Sequence, residues 1–541
     1  MWNVKCGMLN SRSLGNSKPL ILYSHLLIIL FVSLLASPLL ARRYNPFVWT
    51  TYKNFSHIYS ITLSMDEVYL GTNSGLLRFN RILKKWDAPL TKSNGFPGER
   101  AEIVAIDKVF SKLWIVTDYA IAIYIPQISL WENSIQRSNI PSLTITSIGF
   151  TQERIFLEGS GGIYSSRRGS FSWKKWNGAI PQDIDWSGER NRLSIQDYPF
   201  LTPYYVTDEY FNRYEYTAIA VDNKDMWLGT DGSGVFHTDI YTWNGKHYTT
   251  GLANNRVDAI FYDEEGFWLG GRDGLGKGIT HINFEMGEGK HFFSEDIHRI
   301  NSDKVYAITG DDKKIWIGTK EGLLCYKKEE NIWKNYTLFD GLPSNTVTTL
   351  IIKKDTLFIG TENGMAFFSP TLQEINNIGV FNNTSINGFA LYNDNLLIAT
   401  EKGVFVRKNK EFETISDPDG DFSFGVTTIF VGKDALWFGT KRSGIDVYYP
   451  DSSKWEEYLY PTTISGEWIF SISGDEDYIW IGTNNGSTRY NKKMKMWKTF
   501  NETDGLADNR VRTIYVEKDY VWFGTENGLT RFKYRDPSVP P

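Results

Sequence analysis

Cysteine is almost absent: Cys6 and Cys325 are the two in 541 residues. Cys6 falls in an N-terminal leader-like segment, so an internal disulfide in the rest of the chain is excluded. Cys325 stands in Leu323-Leu324-Cys325-Tyr326, a strand pattern, and reads as a small buried hydrophobe. A basic excess is also missing. Lys and Arg number 58 against 63 Asp and Glu, a formal charge of -5, which argues against a surface built for nucleic acid. Beyond residue 41 no apolar run approaches the ~20 residues of a membrane span. The chain has no low-complexity tract, nucleophile elbow, phosphate loop or zincin motif. No catalytic residue, metal ligand or cofactor is therefore expected. Loop Asp/Glu pairs keep a carbohydrate hydrolase or lyase as a distant alternative.

The first 41 residues read as an export signal. Lys5, Arg12 and Lys18 precede an apolar stretch from Leu20 to Leu40, with small residues at Ala36 and Ala41 for cleavage. An uncleaved signal anchor is the competing reading and would be the one contact with a membrane. With no cysteine at the cleavage point, a lipoprotein anchor is not expected. A periplasmic or extracellular location follows.

Aromatics are abundant, at 15% of residues, and a repeat accounts for much of this. Ile315-Trp316-Ile317-Gly318-Thr319 followed by Gly322-Leu323 returns as Val521-Trp522-Phe523-Gly524-Thr525 with Gly528-Leu529. It also appears as Val68-Tyr69-Leu70-Gly71-Thr72 with Gly75-Leu76. About eleven such units recur at a period of roughly 42 residues, which suits four short strands per unit and a propeller blade. The interval from Gly159 to Thr230 is about 71 residues, long enough for one eroded unit and an insertion. Within one unit, Leu357–Thr361 is the signature strand, Glu362-Asn363-Gly364 a tight turn, and Met365–Ser369 the next strand. Apolar residues on both faces place the signature strand between neighbouring sheets. Burying its aromatic contributes on the order of 4–6 kcal/mol as an upper bound.

The expected fold is all-β: tandem β-propellers of about twelve four-stranded blades, in two rings of about six. Residues 1–41 are the signal, 42–287 the first ring and 288–541 the second. Phe47–Tyr52 and Lys290–Phe293 each resemble an orphan outer strand. They are expected to close the first and second rings respectively. An interleaved arrangement, with the N-terminal strand closing the last ring, is the alternative.

The Trp-Ile-Gly-Thr, Gly-Leu and Asp-Gly-Leu-Pro-Ser-Asn pattern resembles the two-component regulator propeller repeat. Trp316–Leu323, Asp340–Asn345, Trp522–Leu529 and Asp504–Leu506 match it best. Such repeats form extracytoplasmic sensors of bacterial hybrid histidine kinases. The resemblance implies paired propellers that bind a ligand, glycans in the best-known cases. No kinase or receiver pattern is present here, so signalling would need a separate sensor kinase. Similar repeats also occur in exported assembly factors, including a propeller component of type IX secretion. The expected function is therefore sensor-like recognition of a glycan or protein without catalysis. A scaffold among envelope or secretion proteins is the alternative.

Insertions into a repeat array are the informative places for a site. The segment 176–216 breaks the period and mixes aromatics with charge, which suits sugar stacking or a protein interface. Trp186, Tyr198, Tyr204, Tyr205, Tyr210 and Arg190 are the candidate ligand-binding residues. Loops such as Asp340–Asn345 and Asp504–Arg510 share a ring face with Lys320-Glu321 and Asn484-Asn485, but read as turn chemistry. Five of the seven histidines lie between His237 and His298. His281, His291 and His298 are closest together and match no metal spacing. Asp417-Pro418-Asp419-Gly420-Asp421 resembles a calcium loop without its closing Glu and reads as a solvated turn.

Overall fold

Short apolar alternations separated by turn residues fold each repeat into an antiparallel meander. The strands Val305–Gly310, Lys314–Thr319, Gly322–Lys327 and Ile332–Tyr336 are hydrogen-bonded in that order. The second carries Ile315, Trp316 and Ile317, all buried. Gly318 lets the next sheet approach, since a Cβ there would lie 2.8 Å from Val347 Cγ1 and 2.9 Å from its carbonyl oxygen. The following threonine has a task of its own. Thr319 Oγ1 donates to the Gly322 carbonyl at 2.9 Å and accepts from Glu321 N at 3.1 Å. Thr72, Thr361, Thr400, Thr483 and Thr525 repeat the bond to the glycine carbonyl. The Gly-Thr pair is thus a spacer followed by a staple for the hairpin turn.

The computed structural model describes residues 48–541 apart from 141–143, 189–200, 202, 203, 209, 243, 273–277, 298, 301, 409, 410, 416–421, 423, 424, 540 and 541. The signal segment 1–41, the acidic loop 417–421, Arg190, Tyr198 and His298 lie outside the described residues. Among the described residues there are eleven sheets, nine four-stranded and two five-stranded, and no α-helix. The protein is all-β, in propeller-like blades.

The two five-stranded sheets flank the long interval. Asp185–Gly188 adds to the inner edge of Ile145–Phe150, and Tyr205–Thr207 adds to Arg213–Asp222. Described parts of the irregular segment thus extend the blades on either side of it.

Seven inner strands pack in a closed circuit: Ala259–Asp263, Val305–Gly310, Val347–Lys353, Ile386–Tyr392, Val426–Val431, Ile469–Gly474 and Val511–Glu517, which returns to Ala259–Asp263. Four others follow in line: Arg213–Asp222, Ile58–Leu63, Ala101–Asp107 and Ile145–Phe150. The Trp49–Tyr52 strand pairs with Gly528–Phe532, in register from Trp49↔Phe532 to Tyr52↔Leu529. This differs from the first closure expected, because the indole fits elsewhere. It stacks on Phe532 at 3.9 Å and 6°, against Phe500 and Phe523. Glu288–Phe292 also differs. It is the outer strand of the sheet begun by Ala259–Asp263, where Phe292 pairs with Ile279.

The chain leaves the seven-strand circuit at Lys53-Asn54 and returns at Gly251-Leu252, and these two crossings lie side by side. Leu252 N donates to the Lys53 carbonyl at 3.0 Å, and Phe55 N to the Thr250 carbonyl at 3.1 Å. Asn54 N donates to Asn255 Oδ1 at 2.7 Å. Gly251 has φ +80°, and a Cβ on it would sit 2.0 Å from the Lys53 oxygen. Only glycine tolerates both the backbone angle and that approach. Packing continues across the crossing: Tyr52 stacks on Phe284 at 3.9 Å.

Candidate functional site

The irregular segment ends in a hairpin that Asp208 organises. Its Oδ1 accepts from Tyr210 N and Asn212 N, both at 2.9 Å. Its Oδ2 accepts from Asn212 Nδ2 at 3.1 Å and the Tyr214 hydroxyl at 3.2 Å. An aspartate that captures backbone N–H groups two and four residues on is the chemistry of a tight turn. Asn212 Nδ2 also donates to Asp296 Oδ1 at 2.8 Å. That bond ties the hairpin to the connection that follows Glu288–Phe292.

Beneath this tie lies a cavity of about 340 Å³. Tyr210 and Tyr214 enter it from the hairpin, Ser233 and His247 from later parts of the same sheet, and His291 and Asp296 from the seven-strand circuit. Phe236 and Phe293 supply apolar wall. The volume is within the range of small-molecule sites, and aromatic walls with a few convergent polar groups are their usual lining.

Both imidazoles are shifted toward the neutral form. Burial depresses His291 to about 4, opposed by a hydrogen bond from its Nε2 to the Gly251 carbonyl at 3.2 Å. Burial also lowers His247, whose ring stacks on Phe236 at 4.3 Å. Each Nε2 points at a carbonyl and so carries the proton, which leaves Nδ1 as an acceptor. Ser233 Oγ lies 3.2 Å from His247 Nε2. That nitrogen also bonds the Ser233 carbonyl, so it has no lone pair for the Ser233 proton and the two do not make a nucleophile–base pair. Burial, reinforced by Asp208, raises the Tyr214 phenol to about 12, so it stays a neutral donor. The cavity thus offers charges of both signs, from Asp208, Asp296 and Lys290, with imidazoles and aromatic faces. These suit a polar, uncharged ligand or a peptide segment.

Of the six candidates from sequence, Tyr210 lines this cavity. Tyr204 stands half exposed just before the Tyr205–Thr207 strand. Tyr205 carries the Arg213 guanidinium over its ring at 4.8 Å. Trp186 lies opposite Gly149 in the sheet, 6.3 Å from the Phe156 ring, and is part of blade packing. Arg190 and Tyr198 lie outside the described residues. Sequence reasoning passed over His247, Phe293 and Asp296. The concentration of histidines between His237 and His298 is the signal that the sequence offers for His247.

Other histidines have structural partners. Asp263, Glu265 and His281 place one ligand atom each within 4.8 Å of one another. Asp263 is already engaged there: Trp268 Nε1 donates to it at 2.9 Å and Lys328 Nζ at 2.8 Å. Burial would raise this carboxyl, but His281 at 3.6 Å and bonds from Lys328 and Trp268 outweigh it and hold it far below the usual range. His281 stacks on Trp268 at 4.3 Å, as His237 stacks on Trp227 at 4.3 Å. The loops with Asp-Gly-Leu are turn chemistry: Asp340 Oδ2 accepts from Thr337 N at 2.8 Å, and Asp504 Oδ2 from Asn501 N at 3.0 Å.

Comparison with known proteins places this architecture. No family model matches the chain. A curated relative, "Histidine kinase P4" from Formosa agariphila, is 23% identical over 376 residues, which cover 56% of this chain and 26% of the relative. The chain therefore spans about a quarter of that relative's length. Among solved structures it is similar to the extracellular domain of BT3049 from B. thetaiotaomicron, described as a hybrid two component system. The identity there is 17%, covering 90% of this chain and 63% of that one, with a TM-score of 0.46. It is also similar to PorZ, a surface component of the type-IX secretion system of Porphyromonas gingivalis. That match has 11% identity, covers 90% of this chain and 87% of PorZ, and has a TM-score of 0.52. At 11% identity the likeness to PorZ is one of fold alone.

Proposed function

We propose that this chain is an exported, non-catalytic recognition module of the sensor-propeller kind, binding its ligand in the cavity beneath the 208–212 turn. The observation that carries this reading is the convergence of Tyr210, Tyr214, His247, His291 and Asp296 from two blades on one cavity. Neutral imidazoles and aromatic walls favour a polar, uncharged ligand, for which a glycan segment is the leading class. A sensor kinase would then read the bound state. Export by the 1–41 segment gives a periplasmic or extracellular location. In place of a boundary near residue 287, residues 54–251 form a unit inserted into a seven-bladed ring made of 48–53 and 252–534. The adjoining crossings at Asn54 and Gly251 support this division. The cavity lies where the inserted unit meets the ring.

A second reading is a scaffold among envelope or secretion proteins. It rests on the likeness of fold to PorZ over 87% of that chain.

The test is a melting-temperature screen of the purified chain against neutral oligosaccharides, repeated with Tyr210→Ala and with Asp296→Asn. A stabilised hit should bind at least ten-fold more weakly to either variant. Hits that bind both variants with unchanged affinity would refute the assigned cavity. Specific co-purification of envelope proteins, with no oligosaccharide shifting the melt, would support the scaffold instead.

A further inference from the structure

A second cavity, about 500 Å³, opens between two adjacent blades of the seven-bladed ring, remote in sequence from the first. Its walls are aromatic: Trp437, Tyr449, Tyr458, Tyr490 and Trp497. The rings support one another, with Tyr490 4.6 Å and Tyr458 4.7 Å from Trp497, and Trp437 5.7 Å from Tyr490. A Tyr–Trp pair alone marks only the outer edge of a blade, since Tyr326/Trp333 and Tyr448/Trp455 repeat it. What sets this cavity apart is its polar lining.

Glu456 is fully engaged. It accepts from the Tyr458 hydroxyl at 2.7 Å, the Tyr449 hydroxyl at 3.1 Å and Lys454 Nζ at 2.5 Å. Burial, with Glu456 beside it, raises Tyr449 to about 12 and Tyr458 further, so both phenols are neutral and already donating. The groups that would serve sugar hydroxyls are therefore spent on each other. The remaining lining is cationic. Lys433, Lys454, Lys492 and Lys495 face Asp434 and Glu456, an excess of two positive charges in a chain whose formal charge is -5. Lys492 is spoken for, donating to the Asp475 carbonyl at 2.7 Å. Lys433 and Lys495 are exposed and make no ion pair among the described residues. The repeat itself supplies a control. The corresponding cavity beside Trp316 is about 380 Å³ and lined by Ile352, Leu357 and Phe368, with Lys314 and Lys354 balanced by Asp311 and Asp355. Tyr490 occupies the register position of Phe368. The charge excess and the Tyr490/Trp497 wall both distinguish the 437–497 junction from the one beside Trp316.

We propose that this cavity binds a small organic anion built on a flat unsaturated ring. The ring face rests against Tyr490 and Trp497, and the carboxylate is directed to Lys433 and Lys495. Apolar ring surface leaves water against aromatic wall, and two lysine charges beside that wall neutralise the acid.

A charge series on one ring tests it: 2-naphthoate, the neutral 2-naphthamide and the cationic 2-naphthylmethylamine, titrated into the full chain by calorimetry or tryptophan fluorescence. The anion should half-saturate below about 1 mM and bind about ten-fold tighter than the amide, with the cation weakest. That preference should shrink as salt is raised from ~0.02 to ~0.5 M. Lys433→Gln/Lys495→Gln, two exposed positions, should abolish the preference and leave the melting curve unchanged. Tyr210→Ala, in the other cavity, should leave naphthoate binding intact. The proposal is overturned if naphthoate fails to bind, or if amide and acid bind equally. An unaffected lysine double variant, or loss of binding in Tyr210→Ala, would overturn it too.

Discussion

Trp49→Ala tests how the ring is held shut. The Trp49–Tyr52 strand is only four residues long, yet it completes the sheet of Val511–Glu517, Tyr520–Thr525 and Gly528–Phe532. Trp49 is 1% exposed and belongs to a core cluster with Trp480, Phe500, Leu506, Phe523 and Phe532. Removing it leaves a large void walled by rigid rings, so little collapse can refill it. A buried Trp→Ala change of this kind costs about 3–5 kcal/mol. For a unit of this size each kcal/mol is worth roughly 2–4 °C, so the melting temperature should fall by about 6–20 °C. Chemical denaturation followed by tryptophan fluorescence and circular dichroism gives the free energy. Because the Trp49 and Phe532 rings are parallel at 3.9 Å, a double-mutant cycle with Phe532→Ala should show coupling of about 0.5–1.5 kcal/mol. Met65→Ala, at a position 90% exposed, is the control and should change stability by less than about 0.5 kcal/mol. A Trp49→Ala cost below about 1 kcal/mol, additive with Phe532→Ala, would refute closure through this strand.

Two further outcomes follow from buried ionisable groups. His291 has a folded value of about 4 against an ordinary 6.5, so between those values the unfolded chain binds more protons. Its stabilisation is complete above about 6.5 and is lost as pH falls toward about 4, by at most about 3 kcal/mol, less where solvent reaches the ring. His291→Gln should flatten that part of the stability–pH curve, and an unchanged slope would count against the buried neutral imidazole. Cys325 is 3% exposed, and burial pushes its thiol up to about 11. Iodoacetamide at pH 7.5 should leave it unmodified in the folded chain and label it in denaturant, read by intact mass; rapid native labelling would contradict the packing.

Much of the blade was legible because the repeat states it many times. Trp316, Gly318 and Gly322 each carry one physical demand: burial, close approach and positive φ. Those demands are local to a strand and its turn. The threonine staple went unread, since Thr319 acts through a carbonyl that only the closed hairpin presents. Ring membership was harder. Trp49 and Phe292 look alike as isolated strand endings, and which sheet each joins depends on which pocket its ring fills. The candidate site was legible only in part. Tyr210 belongs to an irregular segment that announces itself by breaking the period. His247 and Asp296 sit in segments that read as ordinary blade and connection, 86 positions from Tyr210 in the case of Asp296.

The sequence by itself determined the unit: strand, turn and the aromatic that each sheet buries against the next. Those features depend on neighbours within about 40 residues, so they are written in every copy. The tertiary structure decided where the circuit closes, that residues 54–251 leave and rejoin it at one point, and which side chains share a cavity. These depend on contacts between residues hundreds of positions apart, such as Trp49 with Phe532, which no local pattern encodes.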